Sequence, residues 1–364
     1  MKVLFVDMHR EGRSPSQRFR YEQYLNYLKE EGVAWEHSYL LSKNGDANFY
    51  KPGNYFQKFK ILFQSIGKRY RDIQKAGAYI DIVFVQREAF MLGVTYFEKQ
   101  FSKSKAKMIF DFVDAIWLLN ESRSSAPNRS LSWLKNPEKT KFIIGMSDLV
   151  IAGNEYLAKY AKQFNENVVI IPTTIDTDLY LPKNVEDYDT RTICIGWSGS
   201  KTTIDHFEEA IPTLIRIKKK YGSRIMFKVI GDEGYMNAEL GIKGQAWKKE
   251  TETQDLSQID IGIMPLPDDE WAKGKCGLKG LQYMALGIPT IMSPVGVNSD
   301  IIHNGRNGFL SKSSNDFVDK LSLLIESVDL RREVGVNGRK TVEQFYSVNS
   351  QKKVYLSVLR GLIE

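Results

Sequence analysis

The chain has 364 residues, 42% of them hydrophobic and 26% charged, with a formal net charge of +7. That is more than one ordinary core needs and suits two globular α/β domains. No run of 18 apolar residues occurs, which excludes an ordinary membrane-spanning helix. The only cysteines, Cys194 and Cys276, lie far apart, so no disulfide framework is expected and the reducing cytoplasm is the expected compartment. His9, His37, His206 and His303 never fall at ligand spacing, so no metal is expected. Charge is uneven: residues 1–170 hold 26 Lys and Arg against 18 Asp and Glu, and the remainder 25 against 26. The first half therefore either meets something anionic (phosphate, membrane or nucleic acid) or simply carries a solvated basic surface.

In chain order, MKVLFVDMHR reads as a first strand, because its apolar run is too short for a leader and charge follows at once. Strands are expected at 2–7, 34–40, 81–85, 107–112, 148–152 and 167–171, with helical patterns between them at 17–31 and 137–146. Nearly continuous apolar strands separated by helices indicate a parallel sheet covered on both faces. The first loop, His9 to Arg20, is basic and polar; Ser14, Ser16, Arg13, Arg18 and Arg20 suit clamping of an anionic donor or acceptor, or Ser16 caps a helix with exposed arginines. Segment 54–75 places Tyr55, Phe59, Leu62, Phe63, Ile66, Tyr70 and Ile73 at helical spacing, with Lys58, Lys60, Lys68, Arg69, Arg71 and Lys75 around them. Such a stripe either covers the sheet or lies on an anionic membrane surface. Asp111 and Asp114 stand at the carboxyl end of the fourth strand, as site groups or as capping carboxylates.

The polar stretch 171–190 lacks helical periodicity and is expected to be a hinge. Its Asp176–Asp178 and Asp187–Asp189 triplets read as linker residues rather than metal ligands. Boundaries follow: a first domain over 1–172, a second over 173–347, and a last helix near 348–364 packed back on the first. The second half repeats the alternation, with strands at 192–197, 225–230, 260–264 and 288–292 and helices at 204–220, 277–286, 314–327 and 329–345. Two open α/β sheets bind ligands at their carboxyl edges, and a cleft between them is the expected site.

The most informative stretch is GKCGLKGLQYMALGIPTIMSPVG, 274–296. Gly277 opens a helix just after Lys275, and Lys279 falls in the first turn. Lysines oppose the helix dipole there unless an anion is bound, so the pattern reads as an anion site. Gln282, one turn on, can reach a ribose hydroxyl. A glycine turn at GWSGSK, 196–201, holds Gly199, Ser200 and Lys201 and suits a second phosphate contact. Gly231–Gly234 and Trp247 are candidates for base recognition. No nucleic-acid motif accompanies the basic first half, so nucleic acid is not an expected partner.

KCGLKGLQYMALGIPTI followed by SPVGVN resembles the retaining glycosyltransferases of family four, which have the GT-B fold of two Rossmann-like, doubly wound parallel-sheet domains facing across a cleft. IPTTIDTDLY at 171–180, IGWSGS at 195–200, DIGIMPL at 260–266 and NGFL at 307–310 agree, as do FDFVDAIW at 110–117 and DLVIAGNEYLA at 148–158. The resemblance implies a nucleotide-sugar donor, a glycan or lipid-linked sugar acceptor and cell-surface glycan synthesis. It sets Lys201 against the donor diphosphate, with Lys275 and Lys279 on the same side, and Asp114, then Asp111, near the anomeric carbon. Two glutamates separated by seven residues are usual in this block; here Gly274 and Gln282 replace them, so the anionic ribose ligand is missing. The implied reaction retains configuration, uses no metal or other cofactor, and is helped by closure about the hinge. A nucleotide-sugar epimerase and a non-catalytic nucleotide-sugar sensor are the competing readings. If the 54–75 helix meets lipid, the protein is peripheral at the inner membrane face.

Overall fold

The computed structural model describes residues 1–49, 53–118, 136–182 and 192–364. Asp187–Asp189 and the rest of the 183–191 part of the hinge lie outside the described residues. Within them, one compact unit comprises 1–118, 136–172 and 352–364, and another comprises 173–351.

The first unit holds strands β1 (Lys2–His9), β2 (Ala34–Leu41), β3 (Ile82–Gln86), β4 (Lys107–Phe112), β5 (Leu149–Ala152) and β6 (Val168–Ile170). They pair in parallel in the order β2-β1-β3-β4-β5-β6. Val3 to Val6 and Ile82 to Val85 are fully buried, as strands covered on both faces must be. The second unit holds β7 (Ile193–Ser198), β8 (Ile225–Ile230), the antiparallel hairpin β9 (Met236–Asn237) and β10 (Ile242–Lys243), then β11 (Ile261–Met264), β12 (Thr290–Met292) and β13 (Phe309–Leu310). Its main sheet is parallel, ordered β13-β12-β11-β7-β8. Each sheet thus winds outward in both directions from its first strand. The crevices beside β1 and β7, at their carboxyl ends, are where such sheets take ligands.

Two expected helices are broken, each for a local reason. The 17–31 pattern divides into Pro15–Arg18, a 3-10 turn Glu22–Tyr24, and Leu25–Glu30. Tyr21 in the break stacks on Phe5, with ring centroids 4.3 Å apart, and donates to Asp7 Oδ2 at 2.5 Å. The 204–220 pattern divides into Ile204–Glu208 and Ile211–Tyr221. Pro212 sits in the first turn of the second piece, where its missing N–H costs nothing, whereas an uninterrupted helix would drive its ring into the carbonyl four residues back. The final helix, Val348–Gly361, packs Tyr355 face to face on Tyr24 at 4.5 Å, and Arg360 donates to the Glu31 carbonyl at 3.0 Å.

The Tyr55–Ala78 helix departs most from its pattern. Its buried residues are Ser65, Arg69, Asp72 and Ala76, not the aromatic stripe. Arg69 is wholly buried and satisfied by Asp72 at 2.8 Å, the Asp7 carbonyl at 2.7 Å, the Ala89 carbonyl at 2.6 Å and the Ser38 carbonyl at 3.1 Å. Lys68 donates to the Tyr39 carbonyl, and burial, with Arg69 beside it, pushes its ammonium down to about 8. Both cations therefore hold the helix to β1 and β2 and add nothing to its outer charge. Leu62, Ile66 and Ile73 of the stripe are half-buried, and Tyr70 lies 6.0 Å from Tyr96 and 5.9 Å from Phe97 on the Tyr96–Ser102 helix.

Candidate functional site: a phosphate cradle in the second unit

β7 leads straight into Gly199, Ser200 and Lys201. The turn is fixed from within: Gly199 N–H donates to the Ile230 carbonyl at 2.9 Å, and Ser200 N–H donates to Thr203 Oγ1 at 3.0 Å. These two N–H groups are thus committed inside the turn, which leaves the Lys201 side chain, exposed at its tip, to reach an anion. The turn lies so close to the end of β8 that a Cβ on Gly231 would stand 1.9 Å from the Gly199 oxygen.

Gly277 begins the Leu278–Ala285 helix with φ of 69°, a left-handed conformation that favours glycine. A Cβ there would also meet Ile301 Cδ1 at 2.4 Å. Gly280 lets the helix lie on β12, since a Cβ would meet Met292 Cε at 1.6 Å. Tyr283, one turn beyond Lys279, crosses back to β7: its hydroxyl accepts from Ser198 N–H at 2.7 Å and lies 3.0 Å from Ser198 Oγ. Burial pushes that hydroxyl up to about 12, so it stays protonated while locking helix to strand. Lys279 Nζ consequently sits 5.3 Å from the ring centroid of Trp197, which is fully buried just before the turn. Lys275 Nζ lies 5.1 Å from the ring of Trp271.

His206, on the Ile204–Glu208 helix that follows the turn, feels both lysines. Burial, then Lys279, then Lys275, hold its imidazole down to about 4, so it is neutral at pH 7. Its Nδ1 is buried without a hydrogen-bond partner among the described residues. Lys275, Lys279 and the turn leading to Lys201 are therefore gathered from segments about 75 residues apart, on β7, which borders the winding reversal.

Gln282 sits elsewhere. It is buried and donates to the Tyr180 hydroxyl at 2.9 Å and to Glu252 Oε1 at 3.3 Å. Tyr180 and Trp247 also donate to Glu252, each at 2.7 Å. A carboxylate from a different helix thus stands beside Gln282. Asp176 accepts from Asp178 N–H at 3.0 Å in a local turn. Among the described residues no group of three or more His, Cys, Asp or Glu is placed to hold a metal ion, and no helix is long and apolar enough to cross a membrane.

The carboxyl edge of the first unit separates its candidates into two sets. Arg20 and Asp111 are buried and paired: Nη2 meets Oδ1 at 2.5 Å, Nε meets both oxygens at 3.2 Å, and Nη1 donates to the Ile171 carbonyl at 2.5 Å. Burial pushes the Asp111 carboxyl up while Arg20 draws it down. Asp114 remains partly exposed, with Oδ2 3.9 Å from Arg87 Nη1. Arg87 itself has φ of 67°, a conformation non-glycine residues rarely hold. Arg13 and Arg10 converge on Asp46 at 2.6 and 3.3 Å, and Ser14 and Ser16 hydroxyls lie 2.8 Å apart. Arg18 is half-buried, its guanidinium 4.8 Å from the Phe19 ring.

Glu22 is the outlier of this edge. One oxygen accepts from Gly12 N–H at 2.8 Å and the other is buried without a partner, so burial pushes the carboxyl from 4.5 up to about 7. A raised carboxyl contributes its full stability below the unfolded value and loses it as pH rises through 7. Glu22→Gln keeps the acceptor for Gly12 and never ionises. The variant should match the wild type in urea unfolding at pH 5 and exceed it by about 1–2 kcal/mol at pH 8. A constant difference across that range would contradict the assignment.

Trp197, His206, Tyr283, Arg87 and Glu252 carry no sequence signal that marks them as site residues. Tyr283 reads as one more apolar residue of a helix, and a backbone angle such as that of Arg87 is not written in residue type.

Residues 190–327 match the family of Glycosyl transferases group 1. Sucrose-phosphate synthase of Thermosynechococcus elongatus is similar in fold, with 13% identity and a TM-score of 0.71 over 100% of this chain and 99% of that one. HepE of Anabaena, solved with UDP and glucose, aligns at 14% identity and 0.66 over 99% and 100%. A glycosyltransferase of Rickettsia africae gives 15% identity and 0.62 over 100% and 98%. No curated protein matches the chain in sequence. The two parallel-sheet units have the GT-B fold, and fold and family match together support a group 1 glycosyltransferase. The GT-B segment matched by the family includes Gly199, Ser200, Lys201, Lys275, Gly277, Lys279 and Gln282.

Proposed function

We propose that the chain transfers a sugar, with retention and without a metal, from a nucleoside-diphosphate sugar to a hydroxyl acceptor in cell-surface glycan synthesis. The observation that carries this is the placing of Lys279 over Trp197, just before the turn that bears Lys201, with Lys279 and Lys275 both acting on His206. As the glycosidic bond breaks, negative charge builds on the leaving diphosphate. Fixed ammonium groups and the start of the Leu278–Ala285 helix stabilise that charge without reorganising. The leaving phosphate takes the proton of the acceptor hydroxyl, which attacks from the face the diphosphate leaves. Asp114, the partly exposed carboxylate, is assigned to the anomeric carbon, and the buried Arg20–Asp111 pair to positioning the loop around it. Arg18 and Ser16 are assigned to the acceptor, a glycan or lipid-linked sugar. HepE was solved with UDP-glucose, which supports a nucleotide-sugar donor here.

The test is transfer from UDP-, GDP- and ADP-sugars to glycan and lipid-linked acceptors in EDTA, with the product read by NMR. Nucleoside diphosphate should be released only with acceptor, and the anomeric configuration should be kept. Activity restored only by manganese or magnesium would refute metal independence, and an inverted product would refute retention. A sugar altered without acceptor would identify an epimerase, and binding without turnover a sensor.

A further inference from the structure

The outward face of the Tyr55–Ala78 helix begins with Tyr55, Phe56, Phe59 and Phe63, which are 73%, 84%, 60% and 69% exposed. Their spacing puts them side by side on the first turns, before the helix reaches Tyr70, which touches Tyr96 of the Tyr96–Ser102 helix. Four large aromatic side chains left adjacent in water incur a hydration cost that a folded domain ordinarily avoids.

From Tyr55 to Arg71 the helix carries charges of one sign only. No Asp or Glu occurs between Asp46 and Asp72, whereas Lys58, Lys60 and Arg71 lie on this helix. The sequence to residue 170 is also in net cationic excess. A second copy seated on the ridge would bring these cations against their own equivalents, which symmetry makes unfavourable. A surface that is apolar at depth and anionic at its rim matches both properties at once.

We infer that this ridge docks the protein on an anionic lipid surface. Tyr55, Phe56, Phe59 and Phe63 enter the headgroup–acyl boundary, and Lys58, Lys60 and Arg71 meet lipid phosphates. Lys68 and Arg69 take no part, because both are turned inward onto backbone carbonyls.

Sedimentation with vesicles tests this, using phosphatidylcholine alone and phosphatidylcholine with about 30 mol% phosphatidylglycerol. The full chain should bind only the anionic vesicles, and less as salt rises. Two triple variants, Phe56→Ser/Phe59→Ser/Phe63→Ser and Lys58→Gln/Lys60→Gln/Arg71→Gln, should each lower partitioning more than about tenfold. Because the aromatic side chains and Lys60 are exposed, melting temperatures should be kept, and that measurement separates lost docking from lost folding. Absence of wild-type binding, or undiminished binding by either variant, would overturn the inference. So would concentration-dependent self-association that disappears in the aromatic variant, which would assign the ridge to a second copy. The assay contains neither donor nor acceptor, so its outcome is separate from that of the transferase reading.

Discussion

Arg20→Ala should lower the free energy of unfolding by about 3–5 kcal/mol, the cost of breaking a buried ion pair by removing one partner. Arg20 and Asp111 are 2% and 1% exposed, and the guanidinium also donates to the Ile171 carbonyl. Alanine leaves the buried Asp111 carboxylate without the counter-ion that Arg20 supplies. Burial already pushes that carboxyl up and Arg20 draws it down, so the variant should hold its proton to higher pH. A raised folded-state value favours stability at low pH, and the deficit should therefore shrink as pH falls from 8 toward 5. Arg20→Met/Asp111→Leu, which removes both charges and keeps volume, should recover most of the loss. Urea unfolding of the three proteins decides the matter. A single-variant loss below about 1 kcal/mol would show the pair to be no more than a surface-like contact.

Gly231→Ala should cost about 3 kcal/mol and abolish nucleotide binding together. Gly231 has φ of 118° and carries the close approach of the β8 end to the Gly199 carbonyl. A methyl group there meets backbone, not a side chain that can swing away. The Gly199–Lys201 turn must move, and Lys201 moves with it. Gly222→Ala is the matched control, because Gly222 also has positive φ, 55°, but nothing within 4 Å of its added Cβ. It should lose only about 1 kcal/mol and bind nucleotide normally. Equal melting temperatures for the two variants would mean that the close approach carries no energy.

The sheets, and the placing of Gly277, Lys275 and Lys279 at one helix start, were legible because their signals are local. Apolar runs such as VLFV and IVFV fix a strand within a few residues, and Gly277 beside Lys275 and Lys279 contradicts helix electrostatics in one turn. What stayed hidden depends on distance along the chain. Arg20 finds Asp111 91 residues away, and Gln282 finds Glu252 30 residues away, so neither partner is visible from its neighbours. The stripe of the 54–75 segment has a helical period, but period alone does not say which face is buried. Arg69, its most buried member, is charged, and Asp72 together with carbonyls of Asp7, Ser38 and Ala89 makes that burial tolerable. The expected continuous helices at 17–31 and 204–220 failed where aromatic packing around Tyr21 and the ring of Pro212 outweighed periodicity.

Calorimetric titration of Lys279→Ala tests most directly whether the cradle holds a diphosphate. The ligands are whichever of UDP, GDP and ADP raises the wild-type melting temperature most, and its parent nucleoside. Losing one charge-assisted contact should weaken diphosphate binding by about 1.5–3 kcal/mol and leave the nucleoside nearly unchanged. Equal weakening of both ligands, or none of either, would contradict it.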